Sequence, residues 1–570
     1  MWQAVLTGQF MKLSDRYKID QKLGVHLPPD LEAFNYSDGK DEERQLLENV
    51  LGCEDTSVYS KTLRKFRVNW PTNYHLSPQR CNLLRPFAET FKAGAQVLEI
   101  GAGCGALSRF AGEMGAKVTA LEGSLLRAAI TAARCKDLEN VLVVCDNFQK
   151  FSCSEKFDVV TLIGVLEYSQ LFITAPDPVQ EMLRKARSFL KPGGFLLLAI
   201  ENQLGLKYFC GSSEDHVQKF AFGINDSYSK DSVITFGRVD LEKKIKEAGF
   251  FKAELFLPFP DYKMPSCVLY PGGLKERGAW KPGPLVASSV VFEAQPPPFY
   301  LFSLEQAWQV VARNGLLADL ANSFLFRAYN ESCELAEESS PTMAAHYGYE
   351  KEKEDFVEKR FVCGENGELE TRISKMQAPS SLDSYRVMPY QPGEIYGDGL
   401  TKLMNIPGWS VADVAKWAEP WVAALREHAF KTESTEVDGT SFDLFLPSNF
   451  FDAIPLNLAV DSESGAARFF DIECDVQTPL PFEFLVFRGL CIMIHRITSC
   501  AKPAGDSPQR IAELVLKVLE VLKIKTPQSK VQTFLSLFNN FQNQASRFSK
   551  DAVHPLTEAI VRGTFPVRLI

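Results

Sequence analysis

Three glycines stand at alternate positions, Gly101, Gly103 and Gly105, in the stretch VLEIGAGCG, with Glu99 just before them and Glu122 closing the next apolar run. At the carboxyl end of a strand, such glycines let the backbone approach a ligand, and the helix that follows points its amino end at it. Gly101, Gly103 and Ala106 also satisfy the dinucleotide spacing G-x-G-x-x-G/A. A carboxylate beside the turn disfavours a pyrophosphate in a partly desolvated site and favours a cation. The pattern therefore points to a positively charged nucleoside, with tight strand-to-helix packing as the alternative use of the glycines.

S-adenosylmethionine meets that requirement, since it has no phosphate and carries an ammonium and a sulfonium. Glu122 is placed to accept hydrogen bonds from ribose hydroxyls. Asp146, followed by Asn147, ends a later apolar run and reads either as the acceptor for the adenine amino group or as a plain Asx turn.

These residues need an alternating scaffold. QVLEI, KVTALE, VLVVCDN, FDVVTLI and FLLLAI read as strands, and LSRFAGEMG, LLRAAITAARCKDL and PVQEMLRKARSFL as the helices between them. Continuous apolar strands separated by helices imply a parallel sheet covered on both faces. Further on, DLEKKIKEAGF reads as a short helix, and FKAELFLPF with SCVLY as a hairpin at the sheet edge. The Pro/Gly-rich run YPGGLKERGAWKPGP and the later QPPPFY mark a boundary.

In order and spacing, VLEIGAGCG, VTALEGS, VVCDN, FDVVTLIGVLEY and LKPGGFLLLAIEN resemble the successive motifs of class I S-adenosylmethionine-dependent methyltransferases. The resemblance implies an α/β, Rossmann-like domain, a parallel sheet with an antiparallel edge hairpin. It implies cofactor binding by Glu99, Gly101, Gly103, Gly105, Glu122, Asp146 and Asn147, with Glu167 on the rim beside the methyl group, and no metal in this domain. YHLSPQRCNLLRPF, IENQLGLKYFCGSSEDH, TFGR and PFPDYKMP look like the methyltransferases found in bacterial polysaccharide clusters, which implies a sugar, glycan or other small-molecule acceptor. A fold that keeps the cofactor site without turnover is the alternative.

Methyl transfer is an in-line displacement, so the enzyme aligns donor and acceptor and assists loss of the hydroxyl proton. In this fold the acceptor pocket lies beyond the fourth and fifth strands, which makes Tyr168, Glu201, Asn202 and His216 the catalytic candidates. His216 reads as a titrating group or as a solvated loop side chain. Glu201-Asn202 reads as substrate positioning or as loop capping. Asp261 and Tyr262 read as a pocket wall or as part of a hairpin turn.

In the second half, D-x-x-P-x-N at Asp452 to Asn457, then FFDIE with Asp471, resembles the catalytic loop and metal-binding aspartate of kinase-like small-molecule phosphotransferases. The resemblance implies Mg-ATP, with Lys375 in TRISKMQ pairing phosphates and MPYQPGE as a hinge. A chance Asp/Asn turn, or a degenerate domain, is the alternative. The expected order is an extension at 1–70, the methyltransferase domain at 71–275, a linker at 276–300, an α+β kinase-like domain at 301–500 and helices at 501–570.

Composition bounds the rest. The chain has 570 residues, 45% hydrophobic and 23% charged, the balance of a globular protein of more than one domain. A net charge of −9 with no Lys/Arg block makes nucleic acid a poor expected partner. The 13 cysteines form no C-x-x-C pair, as expected of free thiols in a reducing cytoplasm. No apolar run is long enough for a transmembrane segment, and the start lacks a secretion-signal pattern.

Overall fold

The computed structural model describes residues 12–32, 39–332, 340–350, 355–364, 367–376, 385–390, 395–431, 436–437, 440–460, 467–469, 476, 478–545 and 558–568. Asp471 and most of the expected hinge, residues 391–394, lie outside them.

One sheet organises much of the chain. Its strands are β1 (Lys18–Asp20), β2 (Val25–Leu27), β3 (Gln96–Ile100), β4 (Lys117–Glu122), β5 (Val141–Cys145), β6 (Phe157–Ile163), β7 (Leu190–Glu201), β8 (Lys252–Phe259), β9 (Cys267–Leu269), β10 (Ser323–Tyr329), β11 (Thr342–Glu350), β12 (Asp355–Cys363), β13 (Leu369–Lys375) and β14 (Tyr385–Pro389). They lie in the order β1-β2-β5-β4-β3-β6-β7-β10-β8-β9-β11-β12-β13-β14. From β2 to β7 every pairing is parallel, as the apolar runs predict, and the other pairings are antiparallel. Leu196, Leu198 and Ile200 of β7 enter one core and Phe195, Leu197 and Ala199 the other, so both faces are apolar and the run is continuous.

Three expectations need correction. The hairpin of β8 and β9 forms, but it is no edge: β10 inserts between β7 and β8, antiparallel to both, and β11 continues the sheet beyond β9. The backbone edges of β7 and β9 are thereby paired. Second, residues 276–300 are no simple linker. Pro282 occupies the first turn of helix Pro282–Ser289, where a missing N–H costs nothing, and Trp280, Val286 and Val290 lie in the sheet's core. Helix Leu304–Arg313 adds Leu304, Trp308 and Val311 to that core, so the elements expected to open a second domain at 301 belong to the first sheet. Third, the N-terminal extension is not separate from the domain expected at 71–275, since its strand β2 adds to β5 through His26 and Val144.

The later helices form a separate core. Helices Val411–Glu427, Phe482–His495, Ile511–Val521 and Lys530–Ala545 surround Trp409, Trp421, Phe484, Phe487, Phe534 and Phe538. The periodic apolar positions of the last two helices, Leu514, Val515, Val518, Leu537 and Phe541 among them, face this core. Among the described residues no helix is long and apolar enough to cross a membrane.

Candidate functional site

Because β3, β4, β5, β6 and β7 are parallel, their carboxyl ends open on one side, and the side chains just past Ile100, Glu122, Cys145, Ile163 and Glu201 converge there. Two adjoining cavities fill that crevice. The smaller, about 120 Å³, is lined by Glu122, Asp146, Asn147, Phe148 and Met182. The larger, about 230 Å³, is lined by Tyr74, Arg80, Glu99, Glu167, His216 and Lys263, with other residues. Gly101, Gly103, Gly164 and Tyr168 border both.

The glycine turn is held by the carboxylate that follows it. Gly103 N–H donates to Glu122 Oε2 at 2.8 Å and Ser124 N–H donates to Glu122 Oε1 at 2.9 Å. Burial raises the pKa of Glu122, against the pull of Arg127 and of those N–H groups. The turn uses left-handed backbone, φ 57° at Gly103 and 76° at Gly101. A Cβ on Gly101 would stand 2.5 Å from Val165 Cγ2, whereas one on Gly103 would meet no atom within 4 Å. Gly101 is thus a packing glycine and Gly103 faces open crevice.

Glu99 is buried and accepts from the Ser108 hydroxyl. Burial nevertheless pushes its pKa up to about 7. Asp146 is also buried. Its Oδ2 accepts from the Tyr17 hydroxyl at 2.8 Å, and Arg16 lies 3.5 Å away. Its Oδ1 accepts from Asn147 N–H, and Asn147 Oδ1 from Gln149 N–H, so the Asx turn is present beside the cavity.

At the other end Tyr168, His216 and Glu201 come together. His216 Nδ1 lies 3.2 Å from the Tyr168 hydroxyl, and Nε2 lies 3.5 Å from Glu201 Oε2. Glu201 Oε1 accepts from Lys263 Nζ at 2.6 Å and from the Tyr262 hydroxyl at 3.1 Å. Lys263 also reaches Asp215 at 2.7 Å, which Lys207 holds from its other side. Burial raises the pKa of Glu201, but Lys263 and His216 overcome it and the net shift is well down. Glu201 in turn, against the burial penalty, raises His216 to about 9. Glu167, buried and beside the Glu201 charge, is pushed up to about 8. One ligand atom each from Glu167, Glu201 and His216 lies within 4.8 Å of the others, close enough to share a proton or hold a cation. The expectation of no metal in this domain did not foresee that grouping.

Asn202 stands apart and corrects its reading as a catalytic candidate. Fully buried, its side-chain amide donates to the carbonyls of Asp319 and Ala321, and its Oδ1 accepts from Leu204 N–H. It ties the loop after β7 to the segment entering β10. The sequence reading missed Lys263, Arg80 and Tyr17. Lys263 directly follows the Asp261-Tyr262 pair singled out as a wall, and Arg80 lies inside YHLSPQRCNLL, so each had a local signal. Tyr17 had none.

The second candidate group is less assembled. Lys375 ends β13, exposed and paired in register with Val357. Asp452 accepts from buried Arg488 at 3.2 Å, and Asn457 donates to the Asp452 carbonyl at 2.9 Å. The pair thus braces its own turn against helix Phe482–His495, and the kinase-like reading has no support from the described residues.

Residues 98–196 match the family described as a methyltransferase domain. A ubiquinone biosynthesis O-methyltransferase of Xanthomonas euvesicatoria pv. vesicatoria is 36% identical over 116 residues, 20% of this chain and 45% of that protein. Its namesake in Xanthomonas campestris pv. campestris strain B100 is 36% identical over 115 residues, 19% and 44%. The chain thus spans less than half the length of the curated relatives it matches. Among solved structures, Haemonchus contortus phosphoethanolamine N-methyltransferase 2 in complex with S-adenosyl-L-methionine aligns at 18% identity and TM-score 0.27, over 45% of this chain and 52% of that one. N-methyltransferase NodS of Bradyrhizobium japonicum WM9 in complex with S-adenosyl-L-homocysteine aligns at 15% and 0.25, over 51% and 99%. None of these names a sugar or glycan. Residues 98–196 thus resemble a methyltransferase domain, and the parallel strands β3 to β7 that they span have a Rossmann-like arrangement.

Proposed function

We propose that this protein transfers a methyl group from S-adenosylmethionine to a hydroxyl of a small acceptor. The observation that carries the reading is a crevice with a glycine cradle and buried carboxylates at one end and Tyr168, His216 and Glu201 in contact at the other. The residues fit the cofactor: the open space at Gly103 accommodates close approach, Glu122 retains lone pairs for ribose hydroxyls, and Asp146 borders the cavity expected to take adenine. Glu99 gains a counter-charge when a cation enters, which draws it back toward the ionised form.

S-adenosylmethionine, when bound, supplies a methyl group already activated on a sulfonium. The protein's part is alignment and proton removal. A hydroxyl presented to Tyr168 passes its proton through that phenol to His216 Nδ1, and Glu201 stabilises the imidazolium so formed. Lys263 and Tyr262 hold Glu201 in place for this task. Trp70, Tyr74, Tyr168 and Tyr262 supply flat walls on which either a sugar face or an aromatic ring stacks.

Isothermal titration with S-adenosylhomocysteine tests the cofactor half, and no binding by the intact protein removes the reading. Methyl transfer from labelled donor to a panel of saccharides and phenols tests the acceptor half. Transfer to saccharides would restore the glycan expectation, and transfer to phenols alone would discard it.

A further inference from the structure

Glu167 stands at the acceptor end of the crevice without a counter-ion. It sits in the turn Leu166–Tyr168 just past β6, lines the larger cavity and is 1% exposed, and its Oε2 has no hydrogen-bond partner among the described residues. The cations nearby are engaged elsewhere. Lys263 Nζ lies 2.6 Å from Glu201 and 2.7 Å from Asp215, Lys207 holds Asp215 at 2.9 Å, and His216 Nε2 lies 3.5 Å from Glu201. Arg80 Nη1 is turned to the carbonyls of Tyr262 and Lys263. A buried carboxylate with an orphaned oxygen is costly until a cation meets it.

The donor set says which kind of cation. A divalent metal on Glu167, Glu201 and His216, whose ligand atoms lie within 4.8 Å of one another, would stand beside the Lys263 charge that already takes Glu201 Oε1. An organic ammonium needs one carboxylate and gains from aromatic faces, and Trp70, Tyr74, Tyr168 and Tyr262 line the same cavity. We propose that Glu167 binds an ammonium carried by the acceptor, which is therefore a small amino alcohol or amino sugar and not a neutral hydroxyl compound. The inference rests on the methyl-transfer reading above and narrows its acceptor. Tyr168 follows Glu167 in the chain, and its hydroxyl lies 3.2 Å from His216 Nδ1, so the hydroxyl to be methylated and the ammonium are held only a few bonds apart. Burial and the Glu201 charge push the pKa of Glu167 up to about 8, and an arriving ammonium draws it back to the ionised form.

The test uses acceptors matched except at the amine. With labelled S-adenosylmethionine, glucosamine is compared with glucose and N-acetylglucosamine, and 2-aminocyclohexanol with cyclohexane-1,2-diol. The amine of at least one set should be O-methylated with kcat/KM about ten- to a hundredfold above its neutral partners, the range of a charge-assisted hydrogen bond. Glu167→Gln, which keeps the shape of the side chain, should bring that ratio close to one. Neutral partners methylated as well as the amines, measured on wild type alone, overturn the proposal and leave the methyl-transfer reading standing. So does a ratio that Glu167→Gln leaves unchanged, or transfer that depends on added magnesium and is lost in chelator, which would give the cluster to a metal. A methyl found on nitrogen overturns both the proposal and the hydroxyl reading. Transfer to none of these amines overturns the proposal, and isothermal titration with S-adenosylhomocysteine then shows whether the cofactor reading falls with it.

Discussion

The crevice of the sheet and the turn Phe450–Asn457 of the helical body both bury charge, and they answer it differently. In the turn, Arg488 is 2% exposed, but the Phe451 carbonyl, the Asp452 carboxylate and the face of Phe451 at 4.0 Å surround it. In the crevice, Glu99 and Glu167 are pushed up to about 7 and about 8 because the protein's own groups do not offset their burial. Compensated charge holds a fold together, while uncompensated charge in a cavity is a standing demand for a ligand.

The largest test of that contrast is Gly103→Val. A side chain there would fill open crevice and take a backbone conformation costing roughly 1–2 kcal/mol, so S-adenosylhomocysteine binding should fall more than about a hundredfold in calorimetry. Retained binding would mean that the ligand does not lie on the turn. Arg488→Ala should do the reverse: lose about 2–3 kcal/mol in urea unfolding, from the lost hydrogen bonds and packing, and leave that affinity unchanged. A matching loss of affinity would break the division between the regions. Glu122→Gln should cost about 1–2 kcal/mol, because a donor NH2 replaces one of the two oxygens that accept from buried N–H groups, and should weaken donor binding as well.

Two pH effects sharpen the contrast. His216 must be neutral to accept a proton, so kcat/KM should rise with pH, about tenfold per unit at most, and level off near 9. His216→Asn should flatten the profile. The smallest effect concerns the unliganded protein. Glu99, Glu167 and His216 all bind protons more tightly folded than unfolded, so their contribution is full below the unfolded values and is lost as pH rises through about 7, 8 and 9. The unfolding temperature of the empty protein should therefore fall between about pH 5 and pH 9. Saturating donor should reduce the part due to Glu99, since bound cation keeps it ionised in the folded state. No such change would place the donor away from Glu99.

The legible parts of the sequence were those governed by local rules. Strands β3 to β7 follow from runs apolar on both faces, and the glycine turn from residues that tolerate left-handed backbone. The placement of β10 was not legible, because nothing local in SFLFRAY says which strands it joins and only the open edges of β7 and β8 call for a strand there. Pro282 looked like linker composition because proline signals a break equally at a turn and at a helix start. Asn202 had the position of a ligand-binding residue, but its partners at Asp319 and Ala321 lie more than a hundred residues on.

The sequence alone determined the parallel core and the glycine turn with the carboxylates that flank it, because each depends on neighbours within one strand–turn–helix unit. Tertiary structure alone decided that Tyr168, His216, Glu201 and Lys263 touch, that Arg80 faces Glu99's cavity, and that Asp452 is spent on Arg488. Those outcomes depend on burial and on contacts between distant segments, and the energy of a charged side chain is set by whatever the fold brings against it.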